Sequence, residues 1–264
     1  MRVLSLGWGV QSWGLAAMSA LGTLPKLDLA IHADTGWEYQ HTYRFARKWT
    51  PWLRRHGIPV FTVQDQDQSY QLLTLHTQPV HLPAFTTWPD ASNSGTLRRQ
   101  CSYRWKIRPL RSLLRRLLQL QSRSKDPDSF EQWIGITADE AKRAKPSNVQ
   151  WVPNRYPYLD DLNRPFTRHM VIQWLRRYNL EVPQPSSCII CPYHDHHTWR
   201  RLKASHNGDW HRAVAVDRAI RHRRPGYVCY LHRSRQPLEE ARLGIEQTEQ
   251  GDPHANPDPS PGPQ

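Results

Sequence analysis

The chain has 264 residues, 38% of them hydrophobic, enough for one large α/β domain with a small appendage and too many for a chain that cannot bury a core. Its 36 Lys plus Arg against 23 Asp plus Glu give a net charge of +13, which points to nucleic acid as the first partner, with DNA ahead of RNA. No stretch approaches the ~20 apolar residues of a membrane span. Gly7, Gly9, Gln11, Ser12 and Gly14 interrupt the N-terminal run that imitates a secretory signal, and the four cysteines read as reduced, so the expected compartment is the cytoplasm.

A short apolar strand, Arg2 to Ser5, runs into the glycine loop Ser5-Leu6-Gly7-Trp8-Gly9-Val10-Gln11-Ser12 and then into a helix-like run from Trp13 to Leu21. A second apolar run, Leu27 to Ala33, ends in Asp34-Thr35-Gly36-Trp37-Glu38. Two parallel strands ending in such loops describe the ligand crevice of an open α/β sheet. The pattern next predicts a helix from Tyr39 to His56, kinked or restarted at Pro51, and a third strand at Val60 to Val63. From residue 64 to 99 the periodicity dissolves, and a substrate-covering loop is expected.

The segment Ala91 to Lys125 holds ten Lys or Arg and no acid. Within it Leu110, Leu113, Leu114, Leu117 and Leu118 follow helical spacing, with Arg108, Arg111 and Arg115 on the other face. Trp133 to Ile136 reads as a strand, with Thr137-Ala138-Asp139-Glu140 at its carboxyl end, and His169 to Tyr178 as a short helix. The expected organisation is an α/β domain over 1–185, a basic Cys/His-containing part over 186–246 packed on it, and a disordered proline-rich tail over 247–264.

Four segments carry a family resemblance: Ser5–Ser12 with Ala33–Glu38, Cys101-Ser102-Tyr103-Arg104-Trp105-Lys106-Ile107-Arg108-Pro109, Gly135–Arg143, and Cys188-Ile189-Ile190-Cys191-Pro192-Tyr193-His194. Together they resemble the phosphoadenosine-phosphosulfate-reductase-like branch of the adenine nucleotide α-hydrolase (PP-loop) superfamily. The resemblance implies a doubly wound, mostly parallel sheet with helices on both faces, here with a Cys/His-tied basic C-terminal subdomain. It also implies a loop that grips the phosphates of ATP through backbone N–H groups and through Ser5, Gly7, Gly9, Gln11 and Ser12. Two residues depart from the pattern. Trp8 stands between the glycines, adding bulk where a pyrophosphate needs room, and Gln11 stands where a carboxylate would help hold Mg²⁺.

Asp34 and Glu38 are candidate catalytic carboxylates, with Asp139 as a second-site candidate; Thr137 and Glu140 also have the spacing of a helix-capping box. In a nucleotide reading Asp34 contacts base or ribose. In a second reading Trp8, Trp13 and Trp37 stack an extruded base while the carboxylate assists cleavage of its glycosidic bond. Arg98, Arg99, Arg104, Lys106, Arg108, Arg111 and Arg115 are expected to track a nucleic-acid backbone, with Lys142 and Arg143 as phosphate contacts. Cys101, Cys188, Cys191 and His194 have the makings of a closed structural zinc site. An iron–sulfur cluster using Cys229, or plain core cysteines, are the alternatives. Three functions follow: an ATP-dependent adenylating enzyme that modifies nucleic acid, a glycosylase-type hydrolase working without ATP, or a non-catalytic nucleic-acid-binding protein, the last two in the manner of phage or host defence.

Overall fold

Val3 and Leu4, both fully buried, face opposite sides of strand β1 (Arg2–Ser5). Val3 packs with Leu29, Ile31, Leu110 and Leu114, while Leu4 packs with Ala30, Trp13, Phe45 and Val171. A strand buried on both faces belongs in the middle of a parallel sheet. The computed structural model, which describes residues 1–64, 73, 82–90, 92–117 and 131–244, places it there. β1 pairs in parallel with β2 (Leu29–Asp34) and with β6 (Glu131–Trp133); β2 carries β3 (Val60–Gln64) and β6 carries β7 (Asn154–Arg155). The order is β3-β2-β1-β6-β7, all parallel.

Helices α1 (Val10–Ala20), α2 (Gln40–Arg55) and α4 (Arg168–Arg177) share one apolar cluster on the Leu4 face, and α3 (Arg108–Leu117) lies on the Val3 face. The fold is therefore α/β with helices on both faces of a parallel sheet. α2 runs through Pro51 without restarting, because Leu53, fully buried, and Trp52 anchor its last turn on the core. The apolar stripe of α3 is narrower than its leucine spacing predicts. Leu110 and Leu114 are buried, whereas Leu117 is exposed and Leu118 lies outside the described residues. A π-helical turn, Ser102–Ile107, feeds straight into α3.

The expected patternless loop over 64–99 contains two strands. β4 (Phe85–Thr87) and β5 (Ser94–Thr96) form an antiparallel hairpin, and β4 also pairs with β8 (Val228–Tyr230). Strands of three residues are too short to show a period of two. Residues 65–72, 74–81 and 91 lie outside the described residues, as does the tail over 247–264. The small sheet β5-β4-β8 borders a second core. Trp37, Ala84 and Trp105 meet Ile189 and side chains of α5 (His196–Ala204) and α6 (Asp209–Ile220) there. Backbone pairing thus crosses the 185/186 boundary. Among the described residues no helix is long and apolar enough to cross a membrane.

Candidate functional site at the β1–β6 switch point

The chain leaves β1 toward β2 and β3 on one side and returns to β6 on the other, so the crevice beyond the carboxyl ends of β1 and β6 is the topological switch point. The Ser5–Ser12 loop occupies it. The Gly7 N–H donates to Ser12 Oγ at 3.1 Å, and the Ser12 hydroxyl donates to the Gly9 carbonyl at 3.3 Å, which folds the loop on itself. α1 starts at Gly9 with no side-chain cap and no acid in its first turn, leaving its first N–H groups and its positive dipole end turned to the loop.

Trp8 overturns the expectation that it crowds this loop. Its φ of +57° puts a bulky residue in the left-handed region, and its ring drops into the core, 1% exposed, stacked on Trp13 at 6.3 Å and edge-on to Phe45 at 6.2 Å. The expected stacking pocket fails with it. Trp13 is fully buried, and Trp37 is 3% exposed with the Arg212 guanidinium 5.3 Å from its ring centre, so neither offers an open face to a base.

The loop is clasped from two sides. A Cβ on Gly135, just past β6, would stand 3.0 Å from the backbone of Gln11 and Ser12, and a Cβ on Gly9 would stand 2.6 Å from Ser186 Oγ. Gln11 Nε2 donates to Glu140 Oε1 at 2.9 Å, and the Tyr158 hydroxyl donates to the Gln11 carbonyl at 2.8 Å. Glu140, which also pairs with Arg143, is thus the carboxylate that meets the loop. Asp139 is not. Its Oδ2 accepts from Thr137 Oγ1 at 3.3 Å and from the Arg168 N–H, fixing the start of α4. The capping box is also absent, since the Thr137 side chain caps nothing and the turn is a 3₁₀ helix, Ala138–Arg143. Nothing in the Thr-Ala-Asp-Glu sequence distinguishes the two acids; the irregular φ/ψ at Glu140 decides which one turns to Gln11.

Asp34 and Glu38 serve different clusters. Asp34 Oδ1 accepts from the Gly36 N–H and from the Tyr43 hydroxyl, both at 2.8 Å; burial and then the Asp34 charge hold the Tyr43 phenol far above its ordinary pKa. Among the described residues Asp34 Oδ2 takes no hydrogen bond. Glu38, 3% exposed, lies 3.3 Å from Thr35 Oγ1, 3.4 Å from Lys106 Nζ and 3.8 Å from Cys188 Sγ. Burial, and after it Glu38, push the Cys188 thiol up to about 12. For Lys106 burial works downward, but Glu38 and Cys188 outweigh it and keep the ammonium charged. Expected as a backbone contact, Lys106 is committed to Glu38.

Cys191 is raised by burial, with Cys101 adding to it. His194 is turned elsewhere. Its Nε2 lies 2.9 Å from the Cys188 carbonyl and 3.4 Å from the Tyr39 hydroxyl, its ring stands edge-on to Trp199 at 4.9 Å, and burial lowers its pKa to about 4. Among the described residues no three His, Cys, Asp or Glu side chains are set to hold a metal ion. The His194 ring is engaged by the Cys188 carbonyl and the Tyr39 hydroxyl, and zinc enters no step below.

Of the basic tract, Arg98, Arg99 and Arg108 are exposed and Arg104 is half-buried. Arg99 donates to Ser102 Oγ at 3.0 Å and Arg104 to Gln100 Oε1 at 3.2 Å, both neutral neighbours on the tract itself. Arg111 is held by Asn148 at 2.8 Å, and Arg115 lies 4.7 Å from the centre of the Trp151 ring. Lys142 is exposed. Compared with protein-family models and with curated proteins, the chain matches none.

Proposed function

We propose that the chain is a nucleic-acid-acting enzyme of the PP-loop type that binds ATP at the Ser5–Ser12 loop and adenylates its substrate as the first step of a modification. The observation that carries this reading is the uncapped first turn of α1 at the switch point with the Trp8 ring withdrawn into the core. Backbone N–H groups there are free to take phosphate oxygens. Glu140, held on Gln11, brings a carboxylate to the place where position 11 lacks one. Asp34 with its open Oδ2, together with Glu140, would hold Mg²⁺, which supplies charge neutralisation at the phosphates.

In the reaction a substrate oxygen attacks the α-phosphorus and the bond to the β-phosphate oxygen breaks. Pyrophosphate leaves with the electron pair, and AMP stays on the substrate. The loop's task is to orient the α-phosphate and to stabilise the charge building on the leaving pyrophosphate. One observation favours a second reading. Gln11 spends its amide on Glu140, and Asp34 keeps an oxygen free that could activate a water at a glycosidic carbon without any nucleotide.

The test is incubation of the protein with modified and unmodified DNA, with and without Mg-ATP, and mass spectrometry of the released small molecules. AMP and pyrophosphate released only with nucleic acid, and lost in Asp34→Asn, are expected. A free base released without ATP would replace this reading with the glycosylase. Binding with neither product would leave a nucleic-acid-binding protein without catalysis.

A further inference from the structure

The small sheet carries a groove remote from the loop in sequence and different in chemistry. It is a hollow of about 460 Å³ whose lining includes Trp88, Asn93, Gly95, Arg98, Arg224 and Tyr227. Trp88 is 45% exposed, whereas the neighbouring apolar residues of the sheet, Phe85, Val228 and Tyr230, are at least half-buried. It leaves β4 one residue after the Thr87–Val228 pair, which sets it beside Tyr227 of the neighbouring chain segment, edge to face at 6.3 Å and 87°.

The turn before β8 is built to hold a cation there. Pro225 and Gly226 occupy the two central positions, Gly226 has a φ of +79°, and the Tyr227 N–H donates to the Arg224 carbonyl at 3.1 Å. That closure puts Arg224 and Tyr227 side by side, with the guanidinium 5.8 Å from the ring centre. Opposite Thr86, Gly95 leaves the floor without a side chain; a Cβ there would come within 3.3 Å of Thr86 Oγ1. Arg98 closes the other wall and begins the acid-free basic tract. Among the described residues neither Arg98 nor Arg224 has an acidic partner.

An indole with an open face, a second aromatic that props its edge, and two unneutralised guanidiniums along a polar floor match a strand whose bases are unpaired. The bases supply flat faces and the backbone supplies phosphates at short intervals. A duplex hides its base faces and has no use for Trp88. We propose that this groove is a subsite for single-stranded nucleic acid, one base stacking on Trp88 while Arg98 and Arg224 take adjacent phosphates. The inference rests on the nucleic-acid reading above but not on ATP or on the crevice carboxylates.

Fluorescence anisotropy with a labelled oligothymidylate and with a duplex, over a series of salt concentrations, tests it. Trp88→Ala is expected to weaken single-strand binding on the order of tenfold, the loss of one stacked base, while Trp88→Phe keeps most of the affinity. Arg224→Gln is expected to lower the slope of log affinity against log salt by about 0.7, which Trp88→Ala leaves unchanged. Duplex binding should respond to none of the three. Because Trp88 is exposed, its replacement should leave the melting temperature unmoved; were it to fall, the Arg224→Gln slope decides. Single-strand affinity indifferent to both residues, or an equal loss on duplex, overturns the subsite and leaves the nucleic-acid reading standing. A parent protein that binds neither probe overturns both, and specific binding of an extended peptide at Trp88 instead of the oligonucleotide would make the exposed β5 edge a protein-docking strand.

Discussion

His232 shows how much a single buried group can hold. It is 1% exposed, its Nδ1 lies 2.7 Å from Ser234 Oγ, and its Nε2 has no partner in the described structure. Burial first, then the neighbouring His196 and Arg233, lower its pKa from 6.5 to about 4. In the folded chain the ring stays neutral down to about pH 4, whereas in the unfolded chain it takes a proton near pH 6.5. Between those values the unfolded state binds more protons, so the contribution is whole above pH 6.5 and is lost as pH falls toward 4. The melting temperature of the parent should therefore fall through that window more steeply than that of His232→Phe, and parallel curves for the two would sink the assignment. At the same scale Lys106 and Glu38 divide their burden unequally. The carboxylate is buried and the ammonium half-exposed, so the pair reads as compensation for Glu38 more than as a surface contact.

Among the elements, the clasped loop makes the sharpest demand. Gly9→Ala puts a methyl 2.6 Å from Ser186 Oγ, an overlap that must be relieved by turning the Ser186 hydroxyl out of its present rotamer or by movement of the 186 segment or of the loop. A loss of roughly 1–3 kcal/mol in urea unfolding is expected, the usual cost of overpacking, and Ser186→Gly in the same chain should recover most of it. Full destabilisation persisting in the double variant would mean that Gly9 is needed for some reason other than that contact. The elements also show what was legible in the sequence. β1, its loop, β2, α2 and α4 could be drawn within a few residues because apolar runs and glycines mark them. The hairpin β4–β5 could not, since its pairing partner β8 lies more than a hundred residues away and its strands carry no period. The same holds for the site. Glycines 7 and 9 announced the loop, but the inward turn of Trp8 and the choice of Glu140 over Asp139 depend on backbone angles and on packing that no spacing records.

For the molecule as a whole, the excess of +13 is not spread evenly over the tract of residues 91–125 and the C-terminal basic tract from His196 to Arg235. The C-terminal tract is partly neutralised, because Arg212 pairs with Asp209, Arg218 with Glu239 and Arg221 with Asp217. Among the described residues the tract from 92 to 117 is neutralised by an acid only at Lys106. Long-range attraction of a polyanion should therefore centre on it. Duplex affinity is expected to fall steeply with salt, and Arg108→Gln to reduce the slope by about 0.9, one phosphate's worth. Arg111→Gln and Arg115→Gln should move it less, being held by Asn148 and Trp151. Equal effects from all three would make the tract a diffuse field with no docked residues.

Ser186 lying over Gly9 also orders events in time. The sheet's three central strands and their switch point are complete once residue 133 has been made, and α1 can dock as soon as β1 has its neighbours. The loop that defines the crevice acquires its second wall only when residue 186 arrives. On the ribosome the chain would thus hold a formed sheet beneath an open-sided loop while about fifty residues are still to be added, a delay of seconds at ordinary synthesis rates. During that interval the first residues made wait, without their second wall, on residues made much later.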